Sequence, residues 1–221
     1  MQSDLFGTTP PTPTSQQKRI ALSEGAEALY IPTWLAPQKA AQLFHVLTEE
    51  LQWSQPNIRI SGNNLPIPRL QSWFGDEGAV MRYSGKAFCP QPWHPALLTI
   101  RESLELALAT KFNSVLVNLY RNGQDSVGWH ADDEKELGTN PIIASLSLGE
   151  PRRFILKPKQ ALVCEQPNLS ATRITFELGH GDLLAMLGTC QVGWQHSVPK
   201  TQKNVGKRIN LTFRNVRKLT N

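Results

Sequence analysis

The second half of this chain is a succession of short apolar or alternating runs: 114-SVLVNLY-120, 142-IIASLSLG-149, 152-RRFILK-157, 173-RITFEL-178, 181-GDLLAML-187 and 206-GKRINLTFR-214. Turn residues separate them, among them Asn122-Gly123, Gly138, Pro158, Gly179 and Gly181. Many short strands with turn signals between them specify an antiparallel sandwich or barrel. The first half reads differently. Residues 36–53 carry Ala40, Leu43, Phe44, Leu47 and Leu51 on one helical face, with Pro37 in the first turn. Residues 95–112 repeat the pattern with Leu97, Ile100, Leu104 and Leu108. His45 falls on the surface of the first helix, and His94 in a loop before the second. The fold class is therefore α+β, two helices packed on a β-rich C-terminal domain. Between the helices, residues 56–90 are rich in Pro, Gly and Asn and predict loops and short strands. Residues 1–18 are polar and rich in Pro, Thr and Gln, and predict a flexible tail.

Composition narrows the function classes. A chain of 221 residues with 40% hydrophobic content suits one domain with a tail. No run approaches the ~18 apolar residues of a membrane helix. The N-terminus lacks the basic and apolar regions of a secretory signal. Three cysteines, Cys89, Cys164 and Cys190, match neither a zinc pattern nor a disulfide framework and point to a reducing compartment. That compartment is the cytoplasm in a bacterium and the nucleus in a eukaryote, and a monomer is expected. A net charge of +5 and a pI near 9.2 favour a polyanionic partner such as nucleic acid.

The stretch 127-VGWHADDEKELG-138 places His130 and Asp132 two positions apart. On a strand, residues i and i+2 face the same side, so an imidazole and a carboxylate can aim at one point. A third ligand has to come from elsewhere. His180 lies in a Gly-His-Gly turn, whereas His196 follows Trp194 at the end of a run, which makes His196 the better candidate. Two His and one carboxylate leave positions open on a metal, as non-haem Fe(II) oxygenases require. A dicarboxylate co-substrate would also need a cation at its far end. Arg208 and Arg214 share one face of a predicted strand, and their planar forks suit carboxylates. Asn210 and Thr212 lie between them, and Asn118 and Tyr120 form a similar pair on the strand ahead of the metal loop. Such a polar face is expensive to bury unless it binds something polar. The alternative stays open that this face meets solvent, with Ile209, Leu211 and Phe213 inward, and that His130-x-Asp132 is only a polar turn.

Taken together, 118-NLYRNGQDSVGWHADDEKELG-138, 141-PIIASLSLGEPRRFILK-157, 194-WQHSVP-199 and 208-RINLTFR-214 resemble the AlkB family of Fe(II)/2-oxoglutarate-dependent dioxygenases, nearest the branch of the mammalian nucleic-acid repair homologues. The resemblance spans residues 25–217. It implies a double-stranded β-helix (jelly-roll) core over about 113–217, N-terminal helices and a nucleotide-recognition lid over about 56–90, in one domain of residues 19–221. It implies Fe(II) on His130, Asp132 and His196, and 2-oxoglutarate on Asn118, Tyr120, Arg208, Asn210, Thr212 and Arg214, with O2 as co-substrate. The implied reaction couples decarboxylation of 2-oxoglutarate, to succinate and CO2, to hydroxylation of an N-methyl group on a base. Collapse of the adduct releases formaldehyde. Family substrates are 1-methyladenine and 3-methylcytosine, in DNA or in RNA. A nucleic-acid-binding jelly-roll without catalysis is the rival reading.

A methyl group on the Watson–Crick edge is reachable only if the base is flipped out. The resemblance implies that His130 and Tyr83 flank the flipped base, and that Asp133 and Glu134 read its exocyclic amino group and favour a cationic lesion. Arg59, Arg69, Arg82, Lys200, Lys203 and Lys207 are candidate phosphate contacts. The duplex-specific member of the family has an aromatic wedge in the lid hairpin, where this chain has Ser61. Leu65 and Ile60 are the remaining apolar candidates for that task, and single- and double-stranded DNA both stay open as substrates. The first residues, Gln2 to Phe6, resemble a bacterial sliding-clamp-binding peptide, with Gln2, Leu5 and Phe6 as its anchors.

Overall fold

The computed structural model describes residues 16–60, 62–83 and 86–217, with 60, 81–83 and 86–88 as backbone alone. Gln2, Leu5, Phe6 and Ser61 lie outside the described residues.

The chain opens with a hairpin, β1 (Lys18–Ser23) and β2 (Ala26–Ile31), followed by helix α1 (Pro37–Glu50). A small hairpin of β3 (Asn57–Ile60) and β4 (Asn63–Pro66) pairs only with itself. Then come β5 (Leu70–Gly75), a second small hairpin of β6 (Met81–Tyr83) and β7 (Lys86–Phe88), and α2 (Pro95–Leu108). The β-rich half supplies β8 (Ser114–Tyr120), β9 (Val127–His130), β10 (Ile143–Gly149), β11 (Arg152–Pro158), the short helix α3 (Gln160–Glu165) and β12 (Ile174–Leu178). It ends with β13 (Leu183–Gly188), the one-turn helix α4 (Cys190–Gly193), β14 (Trp194–Val198) and β15 (Arg208–Arg214).

These strands form a seven-stranded sheet in the order β1-β2-β13-β10-β15-β8-β5 and a four-stranded sheet in the order β12-β11-β14-β9. All ladders within the two sheets are antiparallel, the arrangement of a jelly-roll. The larger sheet is covered on both faces. On its outer face Leu43 and Leu47 of α1 and Leu97, Ile100 and Leu104 of α2 meet Val115, Val117, Leu146, Ile209, Leu211 and Phe213. On its inner face Tyr120, Ile143, Leu184 and Met186 meet Phe154, Leu156, Phe176, Leu178 and Trp194 of the smaller sheet. Each fully buried Leu or Phe contributes about 1.5–3 kcal/mol.

Four expectations are corrected. Lys18, placed in the predicted tail, instead opens β1, and the β1–β2 hairpin extends the main sheet, antiparallel to β13. The lid predicted over 56–90 is interrupted, because β5 pairs with β8 from Leu70↔Leu119 to Gly75↔Ser114 and belongs to the sheet. His94 is a helix cap rather than a plain loop residue. Its Nδ1 accepts from the Ala96 N–H at 3.2 Å, Pro95 follows at the first helical position, and its Nε2 meets Glu50 Oε2 at 3.0 Å, tying the end of α1 to the start of α2. The second helix also ends earlier than predicted, at Leu108, where Ala109 adopts a left-handed conformation. One close approach demands glycine. Gly181 has φ +84°, and a Cβ there would stand 2.2 Å from the Leu35 carbonyl oxygen, so the turn that presses the start of α1 onto the sheet admits no side chain.

Candidate metal centre

Strand β15 settles the question of which side its polar residues face. Ile209, Leu211 and Phe213 point to the helices, while Arg208, Asn210, Thr212 and Arg214 point between the two sheets, and all seven are buried. Neither face meets solvent. The ladder places Asn118 and Tyr120 of β8 opposite Asn210 and Arg208, and Ser145 and Ser147 of β10 opposite Thr212 and Asn210. The polar side chains then satisfy one another. Asn210 Oδ1 accepts from Ser145 Oγ and from Arg208 Nη2, both at 2.9 Å, while Asn210 Nδ2 donates to Thr212 Oγ1 at 2.9 Å. Arg208 Nη2 also donates to Ser147 Oγ at 2.9 Å. The two serines were missed in the sequence, although their alternation with Ala144, Leu146 and Leu148 carries the signal.

Across the cavity, His196 on β14 pairs with His130 on β9, and their ring centroids stand 4.2 Å apart. Asp132 lies just past the end of β9 rather than on it. Its carboxylate nonetheless converges with the two imidazoles, and the three ligand atoms lie within 4.8 Å of one another. His130 Nδ1 is 2.9 Å from the Gly128 carbonyl oxygen. A carbonyl can only accept, so Nδ1 carries a proton and Nε2 is the nitrogen left to face a metal. Burial, reinforced by the neighbouring His130, pushes His196 down to about 3, so its ring is neutral at physiological pH. Burial works to raise the Asp132 carboxyl, but the charge and hydrogen bond of Arg214 help to hold it below its ordinary value. A neutral His196 imidazole and an ionised Asp132 carboxylate are in the protonation state that a divalent metal needs.

The donor set fits Fe(II). Asp132 Oδ2 and His196 Nδ1 are buried without hydrogen-bond partners among the described residues, a situation that costs about 1–3 kcal/mol per group unless a ligand answers it. The remaining cavity wall also fits a dicarboxylate. Arg208 is fully buried, with Nε and Nη1 unpartnered. Burial pulls it down to about 10, and it stays cationic at neutral pH. Arg214 donates to Asp132 Oδ1 at 2.5 Å and keeps a buried, unpartnered Nε. Tyr120 lies beside Arg208, whose Cζ is 5.1 Å from the ring centroid.

Of the residues expected to meet substrate, Asp133 is exposed and bonded to Lys159 Nζ at 2.8 Å. Glu134 is half-buried rather than in a solvated turn. Burial raises its carboxyl above the ordinary range against the pull of Arg214, and its Oε2 is buried without a partner. Tyr83 and Arg82 lie on the described backbone of β6. Arg59 and Lys203 are exposed, Lys203 lining a surface cavity with Arg153 and Glu177. Arg69 is a correction. Expected on a phosphate-contacting surface, it turns into the cavity wall, donating from Nε to Asn118 Oδ1 at 2.8 Å and from Nη1 to the Ser126 carbonyl at 3.4 Å. Both acceptors are neutral, and Arg69 lines the same cavity as Arg214 and Asp132.

Comparison with known proteins agrees with this geometry. The family model of the 2OG-Fe(II) oxygenase superfamily matches residues 27–214. Alpha-ketoglutarate-dependent dioxygenase alkB homolog 3 of Bos taurus is 40% identical over 84% of this chain, which spans 64% of that protein's length. DNA oxidative demethylase ALKBH2 of Arabidopsis thaliana is 36% identical over 90% of this chain and 69% of its own, and that of Homo sapiens 32% over 88% and 75%. The solved structure of OsALKBH1 shares the fold, with a TM-score of 0.60 at 17% identity over 90% of this chain and 100% of that one. The chain belongs to the 2OG-Fe(II) oxygenase superfamily and, within it, to the AlkB family.

Proposed function

We propose that this protein is an oxidative demethylase that repairs N-alkylated bases such as 1-methyladenine and 3-methylcytosine in DNA. The observation that carries the reading is the buried set of unpartnered atoms, Asp132 Oδ2 and His196 Nδ1 on one side and the guanidinium nitrogens of Arg208 and Arg214 on the other. It matches a metal and an adjacent dicarboxylate together. Relatives named as DNA oxidative demethylases support the substrate class.

In this reading His130, Asp132 and His196 hold Fe(II). Asn118, Tyr120, Arg208, Asn210, Thr212 and Arg214 hold 2-oxoglutarate, with Arg214 at the metal end through its bond to Asp132 and Arg208 at the far end beside Tyr120. When bound, Fe(II) with O2 and 2-oxoglutarate supplies oxidation of the methyl C–H bond, coupled to formation of succinate and CO2. The protein's own part is to bind and to orient. The surplus of positive charge from Arg69, Arg208 and Arg214 attracts the dianionic co-substrate. Tyr83 and the His130 ring flank a flipped base, and Asp133 and Glu134 stand on the loop it meets. The carboxylates favour a cationic lesion over a neutral base by attraction. In the hydroxymethyl adduct the C–N bond then breaks, its electron pair stays on the ring nitrogen, and the hydroxyl proton leaves as formaldehyde departs. Arg59 on β3, Arg82 and Lys203 contact the phosphate backbone, and Leu65, 47% exposed on the isolated β3–β4 hairpin, or Ile60 of the same hairpin fills the vacated stack. The peptide at Gln2, Leu5 and Phe6 would tether the enzyme to a sliding clamp and raise its local concentration on DNA.

The test is succinate formation from 2-oxoglutarate with Fe(II), with and without oligonucleotides carrying 3-methylcytosine, in DNA and in RNA of one sequence. Stimulation by methylated DNA supports the proposal. Stimulation by RNA alone replaces the substrate, and no turnover with iron-loaded protein rejects the enzyme.

A further inference from the structure

The carboxylate of Asp132 has to be held without help from a sheet. Strand β9 ends at His130, so the residues that follow have no ladder to fix them. The Asp132 N–H instead donates to Oε1 of Gln191 at 2.8 Å. Gln191 is 1% exposed and sits on α4, the single turn that leads directly into β14 and His196. One buried amide thus links the backbone of one candidate ligand to the element that carries another. Its orientation is fixed by chemistry, because an N–H requires the amide oxygen to face it. The amide nitrogen turns to Met186 Sδ at 3.3 Å, on the cavity wall.

A second tie closes the same bridge from outside. Lys159 Nζ donates to the Gln191 carbonyl oxygen and to Asp133 Oδ2, both at 2.8 Å, while the Lys159 N–H donates to the Gly193 carbonyl at 2.8 Å. Lys159 therefore fastens α4 to the loop of Asp132 and Asp133. With Arg214 on Oδ1 and Gln191 on the N–H, Asp132 is fixed from two sides, and Oδ2 is the oxygen left over.

We infer that Gln191, braced by Lys159, is a positioning residue that presets the Asp132 carboxylate relative to the two histidines and so sets the affinity of the centre for its metal. The inference rests on the metal-centre reading above and extends it to a residue that acts only through Asp132. Groups that orient a metal ligand typically contribute 10–100-fold to metal affinity.

Mn(II) is the probe, titrated by calorimetry into the metal-free full-length protein. Wild-type protein should bind it, and His130→Ala should not. If wild-type protein fails to bind, the metal-centre reading falls, and this inference with it. Gln191→Met keeps the size and removes the acceptor, and should bind Mn(II) about 10–100-fold more weakly. Gln191→Glu keeps an acceptor oxygen and should recover most of the loss. A merely structural role would lower the melting temperature of the metal-free protein and leave Mn(II) affinity at the wild-type value. That result, with wild-type binding intact, overturns the inference alone. Should Gln191→Met not fold, Lys159→Met decides. Weaker Mn(II) binding supports the bridge, and unchanged binding overturns it.

Discussion

Arg214 Nη2 donates to Asp132 Oδ1 at 2.5 Å, and the pair is buried, so one oxygen of the carboxylate is spent on the guanidinium and Oδ2 alone is left to a metal. Removing the cation leaves a buried charge unanswered. Arg214→Leu should therefore destabilise the metal-free protein by about 3–5 kcal/mol, as for other broken buried pairs. Urea denaturation measures it, and a loss under about 1 kcal/mol would show that the pair does not hold Asp132.

Ser147 and Asn210 share the Nη2 of Arg208, the deepest cation of the site. Deleting the hydroxyl in Ser147→Ala loosens Arg208 without removing its charge. The expected effect is about tenfold weaker binding of 2-oxoglutarate to the Mn(II) protein, the worth of one hydrogen bond to a charged group at about 1.5 kcal/mol. Fluorescence titration reads it, and the Mn(II) affinity itself should not change.

Arg152 holds three connections at once. Its guanidinium donates to the carbonyl oxygens of Asn122, Asp125 and Pro199 at 3.0, 2.8 and 2.7 Å, and its Cζ lies 5.7 Å from the Tyr120 ring centroid. Arg152→Met strands those carbonyls at about 1–3 kcal/mol for each buried group that water does not reach. A melting temperature close to wild type would contradict this assignment.

Asp125 gives the protein an acid limit. Burial works to raise its carboxyl, but the hydrogen bonds and charge of Arg121, with the charge of Arg152, hold it below its ordinary 3.8. A depressed folded value contributes stability that is fully present above the unfolded value and lost as pH falls through the folded one. Thermal melts should show stability declining below about pH 4, and Asp125→Asn should flatten that decline. An identical acid profile in the variant would remove Asp125 as its source.

The sequence made the β-rich half legible because its period-two alternation is strong. The six runs after Asn113 appear as β8, β10, β11, β12, β13 and β15. It could not decide which face of β15 was inward, since both faces are buried and burial on two sides has no alternating signature. The β1–β2 hairpin escaped notice because KRIALS and AEALYI are short, rich in Ala and only weakly alternating. The candidate trio was readable from residue type, and the polar face of β15 from even spacing, although Asp132 lies beyond the strand on which that spacing would have placed it. Arg69 was not, because an Arg in a Pro-rich loop looks like any surface cation until Asn118 is brought beside it. Gln191 was hidden for the same reason, as its partner is a backbone N–H on a distant loop.

The most direct measurement is single-turnover repair followed by mass spectrometry. Matched single- and double-stranded DNA oligonucleotides, each with one 3-methylcytosine, are incubated with Fe(II), 2-oxoglutarate and O2, and Asp132→Ala serves as control. The account predicts loss of one methyl mass that requires all three additions and vanishes in the variant, with the ratio of the two substrates reporting the strand preference. An unchanged mass on both substrates, from protein that binds iron and 2-oxoglutarate, would contradict it.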